Sequence, residues 1–162
     1  MASLCRVERI LQQLGITLPV PVAPVANYVP YVLSGSHLHV SGQMSIKPDG
    51  SICTGQLGTT MEVDEGKEAA RTCALLVVSQ IRAALGDLDR VTRIVKLNVF
   101  VNSSPSFTQH PFVANGASDL IVSVFGADVG RHARCAVGVA QLPFGAAVEV
   151  DALVEVSDTH AR

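Results

Sequence analysis

The sequence predicts an α+β domain: a mixed β-sheet with two helices on one face, plus an N-terminal helix. Three observations carry this. Apolar residues recur at helical spacing in three segments and at strand spacing in five others. These run in the order helix, two short strands, long helix, strand, helix, two strands, which suits one sheet with helices on one side. The last two strands are apolar at too many positions to leave their second face bare. Nothing else in the chain can cover it, so another subunit is expected there.

The 162 residues read as one domain, with an N-terminal helix and proline-rich extension over 1–26 and a core over 27–157. Ser3 is a candidate cap for the first helix, in which Leu4, Val7, Leu11 and Leu14 share a face before Gly15. Pro19, Pro21, Pro24 and Pro30 then keep the chain extended and out of any central strand. This segment is too apolar for a free linker, so it should lie along a surface and place Asn27 and Tyr28. Tyr31–Leu33 and His37–Ser41 read as short strands around Ser34-Gly35, with Gly42 marking a bulge or a close backbone approach. Lys47-Pro48-Asp49-Gly50 is a turn, and the segment up to Thr60 a loop.

The strongest helix runs from Asp64 to Leu85 and stops at Gly86. Its small residues Ala69, Ala70, Cys73 and Ala74 suit close packing on a sheet, with Cys73 in the core. In the strand Val91–Val101, Val95, Leu97, Val99 and Val101 face the core, and Lys96 and Asn98 face away. Pro111 opens a helix to about Phe125, buried along Val113, Ala117, Leu120 and Val124. Gly130 to Val156 then reads as two strands joined by a tight turn at Leu142-Pro143-Phe144-Gly145. Two charges, Arg134 and Glu149, interrupt this apolar hairpin without helping it fold.

Composition excludes several classes. Hydrophobic residues are 48% and charged residues 16%, yet no run approaches the ~18 apolar residues of a membrane span. The surplus fits burial between subunits instead. A net charge of −2 with scattered Lys and Arg counts against nucleic acid, whose phosphates call for a basic stripe. Cys5, Cys53, Cys73 and Cys135 form no close pair, so no metal is expected, and the reading calls for no cofactor. His37 and His39 share a strand face and read as solvent-facing. The thiols and the charged N-terminus suggest a reduced, cytoplasmic setting.

Four stretches give the chain a resemblance to a known family. They are Asn27-Tyr28 through Val40-Ser41-Gly42-Gln43, the long helix with Val95-Lys96-Leu97-Asn98-Val99-Phe100-Val101, Ala133-Arg134-Cys135-Ala136-Val137 through Gln141-Leu142-Pro143, and Ala147-Val148-Glu149-Val150-Asp151-Ala152. The chain resembles the YjgF/RidA family, also labelled endoribonuclease L-PSP or reactive intermediate imine deaminase, in its longer subgroup with an N-terminal helix. The resemblance implies a chorismate-mutase-like fold and a homotrimer with ligand sites between subunits. It implies hydrolysis of 2-imino or enamine acids to 2-oxo acids and ammonia. Arg134 would bind the substrate carboxylate, backbone groups of Cys135 would touch the ligand, Tyr28 and Glu149 would position water, and Gly42 beside Ser41 would line the pocket. An asparagine usual in the family falls on Pro111, and the nearest one here is Asn115.

A planar guanidinium suits a carboxylate, which it can meet with two parallel hydrogen bonds. Imine hydrolysis needs a held water and a proton donor, which a carboxyl group and a phenol supply. If Gly130–Val156 is a hairpin, Arg134 lies opposite about residue 153, and Glu149 is roughly 15 Å away at ~3.3 Å per residue. One small ligand then meets both only if they come from different subunits. The alternative is a trimeric, non-catalytic binder of small carboxylates. Ribonuclease or translation-inhibitor activity ranks third because the chain is acidic.

Overall fold

The computed structural model describes residues 5–21 and 26–157. The candidate cap Ser3, with Leu4 and Pro24, lies outside them. The elements in order are α1 (Arg6–Gln13), β1 (Tyr31–Ser34), β2 (His37–Met44), α2 (Val63–Leu85), β3 (Val91–Asn102), α3 (His110–Phe125), α4 (Ala127–Gly130), β4 (Ala133–Val139) and β5 (Val148–Val156). The strands form one mixed sheet in the order β1-β2-β5-β3-β4, with β4 parallel to β3 and the other pairs antiparallel. Helices α2 and α3 pack on one face, over a core that includes Leu38, Leu97, Val99, Val150 and Val154.

The β4–β5 hairpin does not form. β3 lies between the two strands, pairing with β4 on one side and β5 on the other. The physical reason is the β3–α3–β4 unit. A helical crossover brings β4 back parallel beside β3 and takes the place that β5 would need. The connection at 140–147 is therefore a wide crossing past the end of β3. It is pinned where Ala147 N–H donates to the Cys53 carbonyl at 2.9 Å and Asn102 N–H to the Ala147 carbonyl at 2.9 Å. Phe144, with φ 56°, and Gly145, with φ 71°, make its sharpest bend.

Helix α1 is capped from outside its own segment. The Asp89 carboxylate accepts from Arg6 N–H at 2.6 Å and Val7 N–H at 2.9 Å, and Gly15 at φ 65° closes the other end. Val7 and Leu11 are buried as the spacing predicts. The residues that follow α1 lie on the helix layer at least to Pro19, with Leu18 buried and the Pro19 carbonyl accepting from Ser79 Oγ at 2.8 Å. Helix α2 opens on a reciprocal capping box between Glu62 and Glu65 and stops at Gly86. Its small face meets the sheet at Cys73, whose thiol donates to the Val148 carbonyl at 3.3 Å. Helices α2 and α3 approach so closely at Gly116 that a Cβ there would overlap the Lys67 carbonyl.

Two irregularities re-aim side chains. The β2–β5 register shifts between Val40 and Gln43, a bulge that holds Ser41 and Gly42. The β3–β5 register shifts between Ile94 and Lys96. The second shift corrects the reading of Val95 as a core residue: Ile94 is fully buried in line with Leu97, and Val95 is half-buried.

Candidate functional site

Arg134 sits on the edge strand β4, opposite Leu97 of β3. Leu97 faces the helices and so does Arg134. Its guanidinium reaches α3, where Nη1 donates to Asn115 Oδ1 at 2.9 Å and Ser118 Oγ at 3.0 Å, and Nη2 points to the Pro111 carbonyl at 3.5 Å. Residues 111, 115 and 118 share one helix face because they are spaced by four and three. Pro111 thus contributes its carbonyl, and Asn115, one turn on, contributes the side-chain amide. Among the described residues every partner of Arg134 is neutral.

Glu149 faces the other way. It lies opposite Met44 of β2 and Phe100 of β3, on the sheet face without helices. Phe100 is three residues from Leu97, so the two point to opposite sides. The Glu149 carboxylate sits against Gly42, where a Cβ would overlap it. It is half-buried, and burial, then the charge of Asp151, push its pKa above the usual carboxylate value. No described residue donates a hydrogen bond to it. Asp151 is occupied by Asn98 Nδ2 at 2.8 Å.

Ser41 anchors the strand entry that carries Tyr28: its hydroxyl donates to the Val29 carbonyl at 2.8 Å and its N–H to the Pro30 carbonyl at 2.9 Å. Tyr28 itself is 55% exposed, and among the described residues its hydroxyl meets no hydrogen-bond partner. Cys135 is exposed on the open face, in register with Asn98 and Asp151.

The predicted residues therefore fall into two groups. Arg134 and Asn115 meet on the helix side of the β4 edge. Gly42 and Glu149 meet on the open face, with Ser41 and the Tyr28 segment beyond them. Two strand spacings of about 4.8 Å and three residues at about 3.3 Å put the Cα atoms of Arg134 and Glu149 about 14 Å apart.

Two further residues touch the site. Ser118 Oγ lies 3.0 Å from His132 Nε2, and His132 Nδ1 lies 2.6 Å from the Gly130 carbonyl. Burial pushes the His132 pKa down, against the Gly130 hydrogen bond, and the nearby Arg134 lowers it further. Spacing could have indicated Ser118, three residues past Asn115 on one helix face. Nothing in the local sequence marked His132. A separate cavity of about 530 Å³ opens near the start of α3, between Gln56, Phe107 and Gly138, where Ser103 Oγ and His110 Nε2 are 3.0 Å apart. None of the predicted site residues lines it.

The YjgF/chorismate mutase-like family model, described as a candidate endoribonuclease family, matches residues 8–156. Protein TCP17 of Trypanosoma cruzi is 70% identical over 153 residues, 94% of this chain and 96% of that one. A 2-iminobutanoate/2-iminopropanoate deaminase of Dermatophagoides farinae is 28% identical over 141 residues, 87% of this chain and 94% of that one. Among solved structures, the Agrobacterium tumefaciens protein Atu1372, of unknown function, superimposes with a TM-score of 0.86 at 48% identity, covering 93% of this chain and 92% of its own. Escherichia coli TdcF with bound serine gives 0.59 at 25% identity, covering 87% and 96%. With its mixed sheet and helix layer, the chain belongs to the YjgF/chorismate mutase-like family.

Proposed function

We propose that the protein hydrolyses reactive 2-imino and enamine acids to 2-oxo acids and ammonia, as a homotrimer whose sites lie between subunits. One observation carries the reading: among the described residues Arg134 is held by neutral groups alone, so its charge is left for a ligand. With both Nη1 hydrogens engaged and one Nη2 hydrogen turned to the Pro111 carbonyl, the second Nη2 hydrogen and Nε–H remain to grip a carboxylate. The deaminase relative supports the substrate class.

In this reading Arg134 of one subunit binds the carboxylate and backbone groups at Cys135 line the ligand. Glu149 and Tyr28 come from the neighbouring subunit, beside the pocket wall at Ser41 and Gly42. Glu149 takes a proton from a water held with Tyr28 as the water oxygen bonds to the imine carbon. With the imine nitrogen protonated at the outset, that step gives a neutral carbinolamine bearing –NH2. Glu149 then returns the proton to this nitrogen, the carbon–nitrogen bond breaks with its electron pair leaving on ammonia, and the hydroxyl proton passes to Glu149 and on to solvent as the carbonyl of the 2-oxo acid forms. A carboxyl group with a raised pKa suits this return step.

The second reading is a binder of small carboxylates without turnover, favoured by the serine-bound relative. Nuclease chemistry has less support, since the chain is acidic and lacks a basic run. The test generates 2-iminobutanoate in situ and follows release of 2-oxobutanoate. Faster release with the protein supports the deaminase reading. An unchanged rate with measurable 2-oxobutanoate binding supports the binder.

A further inference from the structure

We infer that Ser118 and His132 are positioning residues for Arg134: a one-way hydrogen-bond chain from the Gly130 carbonyl through the imidazole and the serine hydroxyl fixes Nη1 and leaves the Nε–Nη2 edge to face the ligand carboxylate. The inference rests on the proposed carboxylate-binding role of Arg134.

The direction of the chain follows from what each group can do. A guanidinium only donates and a carbonyl only accepts. His132 Nδ1, 2.6 Å from the Gly130 carbonyl, must therefore carry a hydrogen. In a neutral imidazole Nε2 is then the acceptor, and Ser118 Oγ lies 3.0 Å from it. Ser118 Oγ accepts from Arg134 Nη1 at 3.0 Å, so its own hydrogen is free to go to Nε2. Every donor meets an acceptor, and the second Nη1 hydrogen goes to Asn115 Oδ1.

Both ends of the chain rest on α3. Asn115 and Ser118 belong to it, and Gly130 packs so tightly that a Cβ would come within 2.9 Å of the Ile121 carbonyl oxygen and the Val122 Cα. A mid-helix serine commonly bonds back to the carbonyl four residues earlier. Ser118 is directed to the imidazole instead. The chain needs a neutral ring, and burial beside Arg134 favours one. Charged groups on the surrounding elements are Asp119 of α3, paired with Lys67 at 3.5 Å, Asp128 of α4, and Lys96 of β3, opposite Ala133.

Nitrogen NMR of the imidazoles in the full chain tests the arrangement without reference to catalysis. At pH 7 the His132 ring should be neutral with its proton on Nδ1, and Arg134→Gln should raise its pKa. A proton on Nε2, a charged ring at pH 7, or a pKa unmoved by Arg134→Gln overturns the inference. The second arm measures 2-oxobutanoate affinity. Ser118→Ala should weaken it about tenfold and Ser118→Thr, which keeps the hydroxyl, should restore most of it. Equal affinity in wild type and Ser118→Ala overturns the positioning role. Absence of 2-oxobutanoate binding by wild type overturns the carboxylate assignment itself, while the NMR arm still reports whether the chain exists.

Discussion

Arg134 and Glu149 leave opposite faces of the same sheet. Arg134 is in line with Leu97 on the helix side, and Glu149 in line with Phe100 on the open side. No rotamer change carries either through the sheet, which is why the proposed site takes the two residues from different chains. The opposed faces argue this more firmly than their separation of about 14 Å does.

Arg134→Ala should weaken 2-oxobutanoate binding by about 10- to 100-fold, the range for losing hydrogen bonds to a charged group. Arg134→Lys should recover little, because an ammonium cannot give two parallel donors. Ligand titration measures both, and thermal melting should show the fold intact. Binding within twofold of wild type in the alanine variant would remove Arg134 from the site.

Gly42→Ala should displace the Glu149 carboxylate, because the new methyl occupies its place. The carboxylate is the flexible end of a side chain, so the stability cost should stay at about 1 kcal/mol while activity falls. Glu149→Ala should erase that cost in the double variant, a coupling read by a thermodynamic cycle. Additive effects would show that the two residues do not press on each other.

Glu149 should make stability depend on pH. Its native pKa is raised by burial and by Asp151, so the native state holds this proton to higher pH than the unfolded chain does. Its contribution is fully present below the unfolded value and is lost as pH rises through the native one. Glu149→Gln should therefore raise the melting temperature at pH 7, and the difference should vanish at acid pH. Melting curves across pH decide this; a difference of the same size at all pH values would count against a raised pKa.

Gly116→Ala should destabilise the fold by about 2 kcal/mol or more, because the methyl meets the Lys67 backbone carbonyl rather than a movable side chain. Denaturant unfolding measures it. A neutral result would mean that α2 and α3 can separate at their crossing without cost.

Local pattern made the elements legible where periodicity decided them. The stripe of α2, the Pro111 start of α3 and the alternation of β5 all follow from side-chain spacing. Partnership between strands was not legible, since β4 and β5 are adjacent in sequence and β3 separates them in space. Their shared period of two gives the face of each side chain but not the neighbouring strand. The bulge at Val95 escaped for a similar reason, because Val95 and Ile94 are equally apolar and register alone chooses between them. Arg134 and Glu149 stood out as charges in apolar strands. His132 did not, because it meets Ser118 of α3 only in the folded chain.

Mixed assemblies test the shared site most directly. Arg134→Ala and Glu149→Ala subunits should each be inactive alone in 2-iminobutanoate hydrolysis. Co-refolded together, random trimers should regain about a quarter of the wild-type sites, where an intact Arg134 faces an intact Glu149 from its neighbour. Mixtures that form trimers yet stay as inactive as their parents would contradict a site built from two chains.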